Sequence, residues 1–335
     1  MSTITVFVGL DYHQDSVQVC VMDAKGNQLI NATRPNDWRE IAEVVPPDAR
    51  VFAAIEACCG AADLAEELIQ QGGWSVDLAH AGYVARIKQS PDKTDFGDAR
   101  LLADLERVGY LPKVWLAPES IRELRRLVRY RQQLSQQHRN VKLRVRALLR
   151  DQRVRPPADV NPWTKAWLAW ATSCDELGQT SLWILQRHLD ELQSLKTRLR
   201  EVEKRLAEQT RDDPVVQALL AEEGVGLITA VTLRAEIGRF DRFRTGKQLA
   251  RFCSVTPRNA SSGNRQADAG LIRAGNPELR RVLIETAHRL SWRSDRWTEF
   301  AARLKGRGKS RCVIVAAIAN RWIRGLYYDL KTIAA

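Results

Sequence analysis

Four acidic residues in the first hundred positions have the types and spacing expected of a metal-dependent phosphoryl-transfer site. Asp11 ends an apolar run at residues 5–10, and Glu56 ends a second apolar run at residues 51–55. Asp95 and Asp98 are three residues apart, so they can share one face of a helix. If the two runs are neighbouring strands, all four carboxylates can meet at one sheet edge. Such a set of hard oxygen ligands predicts Mg²⁺ or Mn²⁺.

Each acid also has a purely structural explanation. Asp98 could cap the start of its helix, Asp95 could belong to a loop, and Asp11 could favour a turn. Four carboxylates on neighbouring strand ends and one helix favour a shared site over these separate explanations. Two divalent ions held there would stabilise the attacking and leaving oxygens of a phosphoryl transfer.

The elements that must position these acids form an α/β pattern. Residues 4–32 contain three strand-like segments joined by tight turns. Helices at residues 38–45, 60–71 and 98–108 then alternate with strands at 51–55 and 75–81. This order predicts a layered α/β domain over residues 1–115.

The middle of the chain, residues 116–211, is predicted to be a helical hairpin. Residues 122–155 contain twelve Lys and Arg against two acids and have helical apolar spacing, which predicts one long basic helix. Arg125 and Arg129 on this helix are candidate contacts to nucleic acid. Residues 181–209 place leucines three or four apart, which predicts a coiled coil, formed either within the chain or with a second chain.

Residues 212–335 are predicted to form a third, mainly α domain. Gly224-Val225-Gly226 lies between two apolar helical segments, which is typical of a helix-hairpin-helix element but equally of a plain turn. Residues 240–335 are rich in arginine and are predicted to be helical.

Composition indicates a polyanionic partner. The formal net charge is +12, which favours nucleic acid over an acidic membrane surface. No stretch is long and apolar enough to predict a membrane span. The six cysteines lack C-x-x-C spacing, so we expect reduced thiols in a cytoplasmic protein and no structural zinc.

The acidic motifs resemble a known family. The order Gly9-Leu10-Asp11, Glu56, then Lys93-Thr94-Asp95-Phe96-Gly97-Asp98-Ala99-Arg100 is similar to the DEDD-type insertion-sequence transposases, a group that includes pilin-gene invertases. The resemblance covers nearly the whole chain. It implies a RuvC-like, RNase H-like N-terminal domain in which the four acids bind Mg²⁺. Cys58-Cys59 departs from the small or hydroxyl residues usual in the family.

The resemblance also indicates a serine nucleophile in the C-terminal region. The segment from Thr256-Pro257-Arg258 to Ser262-Gly263 resembles the family's C-terminal signature, in which Ser262 aligns with the nucleophile. Ser261 is the adjacent alternative, and the residue types alone indicate a polar loop. Arg258 and Arg265 flank this segment and are candidate phosphate contacts, although solvated surface arginines are the simpler interpretation.

The family resemblance implies a transposase or site-specific recombinase that joins its serine covalently to DNA. It also implies donor and target DNA as partners, guidance by a structured RNA encoded by the element, and a dimer or tetramer. We therefore expect a cytoplasmic, nucleoid-associated protein. Two alternatives remain: a hydrolytic junction-resolvase-like endonuclease that uses the same acids, and a nucleic-acid-binding protein with an inactive acidic site.

Overall fold

The computed structural model describes residues 4–88, 94–259 and 268–333. The chain divides into two compact units, Met1–Pro118 and Glu119–Ala335. The first boundary lies close to the predicted one at residue 115. The structure divides the chain only there, and the further boundary at residue 211 stays a prediction.

The first unit is built on one mixed sheet with the strand order β3-β2-β1-β4-β5-β6. Its strands are β1 (Thr5–Tyr12), β2 (Ser16–Asp23), β3 (Gln28–Pro35), β4 (Arg50–Glu56), β5 (Ser75–Ala79) and β6 (Lys113–Val114). The three N-terminal strands pair antiparallel, whereas β1 and β5 both pair parallel with β4. This arrangement confirms the predicted α/β class and is consistent with an RNase H-like domain.

Helices cover both faces of this sheet. They are α1 (Trp38–Ala42), α2 (Ala61–Gln70), α3 (Ala81–Ile87) and α4 (Asp95–Arg107). Val6, Val8 and Leu10 of β1 share an apolar core with α1 and α2. Because side chains alternate along a strand, the intervening positions of β1 face the opposite side of the sheet, which α4 covers.

The second unit is mainly helical. Its helices are α5 (Glu119–Asp151), α6 (Lys165–Thr172), α7 (Gln179–Gln209), α8 (Pro214–Ala221), α9 (Leu227–Ile237), α10 (Gly246–Phe252), α11 (Pro277–Arg293), α12 (Asp295–Gly306) and α13 (Arg311–Leu330). Side chains from α5 and α7 share one core with α8 to α13. The long helices and the C-terminal helices are therefore packed as one unit.

Helices α5 and α7 run antiparallel and form the predicted hairpin. Arg131 pairs with Glu203, whereas Arg144, further along α5, reaches Glu191, earlier in α7. Five apolar residues of the α7 seam are buried inside the chain: Leu185, Leu192, Leu195, Val202 and Leu206. The intrachain interpretation therefore accounts for much of the seam, and coiled-coil contact with a second chain stays a prediction.

Most of the described residues in 240–335 are helical, as predicted, but part of this region is not. Two short strands, β7 (Pro257–Asn259) and β8 (Asp268–Leu271), pair antiparallel there. Pro257 disfavours continuation of a helix, and its pairing partner Leu271 lies well outside any local window. A pairing between separated segments leaves no helical or strand periodicity long enough to be recognised in the sequence.

Candidate active site

The register of the central strands brings Asp11 and Glu56 together. In the parallel pair of β1 and β4, Leu10 lies opposite Ile55, so Asp11 and Glu56 follow at adjacent strand ends. A Cβ added to Gly9 of β1 would point at α4. Because side chains alternate along a strand, Asp11 projects from the same face of the sheet as Gly9. Glu56 projects from this face too, because its position in β4 is in register with Asp11 in β1. Both carboxylates therefore lie on the face that α4 covers.

Helix α4 lies directly on β1 because position 9 is glycine. A Cβ built on Gly9 would lie 1.8 Å from the carbonyl oxygen of Ala99 and 2.5 Å from the amide nitrogen of Ala103. Only a residue without a side chain allows the helix backbone to approach so closely. The close approach places the first turn of α4, which contains Asp95 and Asp98, next to the end of β1.

The residue that caps the start of α4 is not one of its acids. Thr94 is the N-cap, and its hydroxyl accepts a hydrogen bond from the amide of Gly97 at 3.2 Å. Asp98 therefore does not cap this helix, and Asp95 is its first residue rather than part of a loop. Both carboxylates lie in the first turn, where the helix dipole stabilises negative charge.

His13 also lies among the acids, although it was not predicted from the sequence. Its Nε2 lies 3.3 Å from Oδ2 of Asp95 and 3.7 Å from Oδ2 of Asp11. One potential ligand atom from each of these three residues lies within 4.8 Å of the others. The available signal was the spacing Asp11-x-His13, because residues two apart at a strand end can share a face. This group can hold a divalent cation.

Asp98 has a separate cationic partner. The Nζ of Lys88 donates a hydrogen bond to its Oδ1, and both side chains are 20% exposed. Lys88 was not predicted as a site residue, because its position ten residues before Asp98 carries no periodic signal. His13 and Lys88 are the basic groups in contact with this set of acids, as far as the described residues show.

The pKa of Asp11 reflects all four acids. It is raised above the ordinary aspartate value, first by burial and then by the nearby charges of Asp95, Asp98 and Glu56, whereas His13 lowers it. The charges of Asp95, Asp98 and Glu56 are thus close enough to Asp11 to disfavour its ionisation. A bound cation would relieve this repulsion, and the oxygen-rich ligand set fits a hard divalent ion, with His13 adding a softer nitrogen ligand.

A hydrogen-bonded network holds α4 against the sheet beside this site. The buried amide of Gln18 in β2 donates to Asn31 Oδ1 at 2.7 Å, and Asn31 Nδ2 donates to the carbonyl oxygen of Phe96 at 3.1 Å. The hydroxyl of Thr33 completes the network by donating to Gln18 Oε1 at 2.6 Å. Asn31 therefore connects β3 to the first turn of α4, where Asp95 and Asp98 lie.

Replacing Asn31 by leucine is expected to weaken metal binding. The substitution leaves the Gln18 amide unpaired, at about 1–3 kcal/mol in unfolding free energy, and releases the first turn of α4. Groups that orient metal ligands typically contribute roughly 10–100-fold to metal affinity. Calorimetric titration with Mn²⁺ measures the affinity, and urea unfolding measures the stability.

Thr33→Val provides the matched control. It removes the other partner of the Gln18 side chain but has no contact with α4 in the network. It should lower stability by about 1 kcal/mol and leave Mn²⁺ affinity unchanged. Equal losses of affinity in both variants would show that Asn31 acts only through general stability.

The predicted serine segment lies largely outside the described residues. Ser261, Ser262 and Arg265 fall between β7 and β8, whose described residues pair with each other. Arg258 lies in β7 and is exposed. It lines a cavity of about 380 Å³ together with Arg251 and Arg273. Three arginines on one cavity favour an anionic ligand close to this segment.

Comparison with known proteins agrees with this arrangement. Residues 8–153, which include all four acids, match a family model described as a transposase, of the DEDD type named for IS110. Residues 216–302, which include the serine segment, match the model of the transposase IS116/IS110/IS902 family. The protein named "Probable family 20 transposase" in Pseudomonas aeruginosa is 30% identical over 96% of this chain and 95% of its own length. The chain belongs to the IS116/IS110/IS902 family of transposases.

Further relatives are also similar over almost their full lengths. The transposase for insertion sequence IS1328 of Yersinia enterocolitica is 25% identical over 97% of this chain and 96% of its own length. The transposase for IS1111A of Coxiella burnetii is 23% identical over 94% and 86%. The predicted family resemblance is confirmed, and this transposase is an enzyme that acts on DNA.

Two arginines that were predicted to bind nucleic acid make internal contacts in this transposase. Arg125 donates to the carbonyl oxygen of Ala235 at 3.0 Å, and Arg129 donates through two nitrogens to the buried Glu236 at 3.0 and 3.1 Å. These contacts connect α5 to α9. Their role toward nucleic acid stays a prediction, while a structural role is evident.

The tryptophans between the C-terminal arginines differ in exposure. Trp297 is buried in the helical core, whereas Trp292 is 56% exposed with the guanidinium of Arg293 4.8 Å from its ring centre. Trp292 is therefore the one of the two that can stack on a base. Among the described residues of this transposase, no helix combines the length and apolarity needed to cross a bilayer.

Proposed function

We propose that this transposase cuts and rejoins DNA with Ser262 as nucleophile and with Mg²⁺ (or Mn²⁺) bound by Asp11, Glu56, Asp95 and Asp98. The observation that carries the proposal is that Asp11 and Glu56 lie at adjacent strand ends and that Asp95, Asp98 and Glu56 are close enough for their charges to act on Asp11. The serine assignment is supported by the Thr256-Pro257-Arg258 to Ser262-Gly263 resemblance and by the basic cavity that Arg258 lines.

The proposed reaction conserves the phosphodiester. The Ser262 hydroxyl oxygen bonds to phosphorus and its proton is lost, while the bond between phosphorus and one sugar oxygen breaks. That oxygen takes up a proton and leaves as a free hydroxyl end. Attack by a hydroxyl of another strand reverses these steps, so strands are exchanged without an external energy source.

The acids and the arginines have different roles in this proposal. A bound Mg²⁺ would polarise the phosphodiester and stabilise the leaving oxygen. Asp11 and Glu56 would hold it from the sheet, and Asp95 and Asp98 from the first turn of α4. Arg258 and Arg265 would hold the phosphate beside Ser262.

The proposal also includes how donor and target DNA are chosen and how the chains assemble. The described residues show no zinc finger or other recognised base-reading module, and the family resemblance supports a structured RNA from the element as the guide to donor and target DNA. The family resemblance supports a dimer or tetramer bound to DNA. Within such an assembly, Ser262 could act with the carboxylates of its own chain or of a neighbouring one.

One observation favours a hydrolytic alternative. His13 lies beside Asp11 and Asp95, is half-exposed, and offers a nitrogen that could accept a proton from water. A junction-resolvase-like endonuclease would use this water as its nucleophile and would not use Ser262. Both mechanisms require the acids, so only the identity of the nucleophile separates them.

Replacing Ser262 by alanine is expected to abolish strand cleavage and the covalent protein–DNA product together. The full-length chain is incubated with Mg²⁺ and labelled DNA carrying the element's ends, and a denaturing gel separates free fragments from a labelled adduct. Ser261→Ala is the matched control, because it changes the adjacent hydroxyl and should retain the adduct. Normal cleavage by Ser262→Ala without any adduct would establish the hydrolytic alternative instead.

A further inference from the structure

A cationic cavity lies at the end of the helical hairpin that is formed by α5 and α7, remote in sequence from the carboxylates. Its volume is about 550 Å³, within the range of small-ligand sites. One side is basic, with Arg146 and Arg150 at the end of α5 and Arg153 and Arg155 in the segment that follows. The other side is apolar and includes the half-buried ring of Trp163.

The positive charge of this cavity is not compensated within the described part of the chain. All four arginines are exposed, and no ion pair with a described carboxylate is seen for any of them. Lys142, one turn before Arg146, has a pKa below the ordinary lysine value, first because of partial burial and then because of Arg146 and Lys196. The positive charges in this cluster repel one another, and an anionic ligand would offset this repulsion.

The aromatic side of the cavity contacts the same group of basic residues. The Nζ of Lys142 lies 5.0 Å from the ring centre of Trp163, and the guanidinium carbon of Arg146 lies 5.8 Å from it. The ring of Trp163 also contacts that of the buried Trp167 at 4.5 Å between centres. Trp163 and Arg153 both have positive φ, at 70° and 56°, a conformation that bulky residues avoid unless their surroundings impose it.

We propose that this cavity binds an unpaired nucleotide of a single nucleic-acid strand, with its phosphates on the arginines and its base against Trp163. A guanidinium cluster recognises phosphate, and an aromatic ring recognises the exposed face of a base. The bases of a duplex are stacked inside the helix and offer no free face to Trp163. The inference goes beyond the cleavage chemistry and rests only on membership of a family that acts on DNA.

The binding test uses a fluorescent, unstructured 20-nucleotide strand, made as RNA and as DNA, together with the matching DNA duplex. Arg150→Gln/Arg155→Gln in the full-length chain is expected to weaken single-strand binding by about tenfold and to reduce the slope of log affinity against log salt by about 1.4, since each lost phosphate contact contributes about 0.7. Duplex binding should be unchanged. The single strand whose affinity falls more, RNA or DNA, is the ligand.

The matched control is Arg198→Gln/Arg200→Gln, which removes the same charge from exposed residues of the same hairpin, about 20 Å from the cavity by helix rise. It should change the affinity less than twofold. Equal weakening by both double variants, or equal weakening of the duplex, would overturn the proposal. Binding is measured without cleavage, so the outcome is independent of whether Ser262 or water attacks the DNA.

Photocrosslinking locates the base directly and needs no variant. Strands carrying 5-iodouracil are irradiated on the wild-type protein, which is then digested with trypsin. The proposal places the crosslink on the tryptic peptide of residues 154–165, in which Trp163 is the one tryptophan. Crosslinks confined to other peptides would overturn it.

Discussion

Replacing Asp11 by asparagine is expected to reduce DNA cleavage by this transposase by about 10³-fold or more, because it removes a central carboxylate of a group that acts as a unit. Asp11 is the most enclosed of the acids in contact with His13, and its side chain is only 19% exposed. The amide keeps the shape but loses the charge that a divalent cation requires. Gel-based cleavage in Mg²⁺ measures the activity, and Mn²⁺ titration measures the loss of metal binding.

Asp104→Asn is the control for Asp11→Asn. Asp104 lies on α4, the helix that also contains Asp95 and Asp98, but it pairs with Arg107. This variant should retain cleavage and Mn²⁺ affinity. Unchanged Mn²⁺ binding in Asp11→Asn would contradict the assignment of Asp11 as a metal ligand, whatever happens to cleavage.

Replacing Gly9 by alanine is expected to lower cleavage by about 100-fold although no acid is changed. The added Cβ would lie 1.8 Å from the Ala99 carbonyl oxygen, a backbone atom that cannot rotate away. Helix α4 must therefore move off β1 and carry Asp95 and Asp98 with it, and displacements of about 1 Å can cost two orders of magnitude in rate. Overpacking should also lower the free energy of unfolding by about 1–3 kcal/mol.

Gly82→Ala is the matched control, since it adds the same methyl group to a glycine in helix α3 of the same unit. The nearest atom there is Cε1 of His80 at 3.4 Å, an ordinary contact. Stability should stay the same or rise by about 0.4–1 kcal/mol, with Mn²⁺ affinity unchanged. If Gly9→Ala retained wild-type Mn²⁺ affinity and cleavage, the close approach of α4 would not be what aligns the acids.

The sequence by itself determined the parts of this protein that depend on local pattern. Short continuous apolar runs indicated the central strands, and apolar spacing of three or four indicated the long helices, because a strand buried on both faces and a helix buried on one face leave these patterns. The four acids were recognisable because each stands at the end of an apolar strand or in the first turn of a helix. The family was recognisable from the order of the same short motifs.

Contacts between distant segments were decided only by the tertiary structure. Lys88 reaches Asp98 across ten positions, and Asn31 reaches the first turn of α4 across 65 positions. Arg125 and Arg129 are basic residues of the type expected on a nucleic-acid-binding surface. They instead contact residues of α9 more than a hundred positions away. The sequence records the type of each residue and its neighbours, whereas a partner is chosen by strand register and helix packing, which no local period encodes.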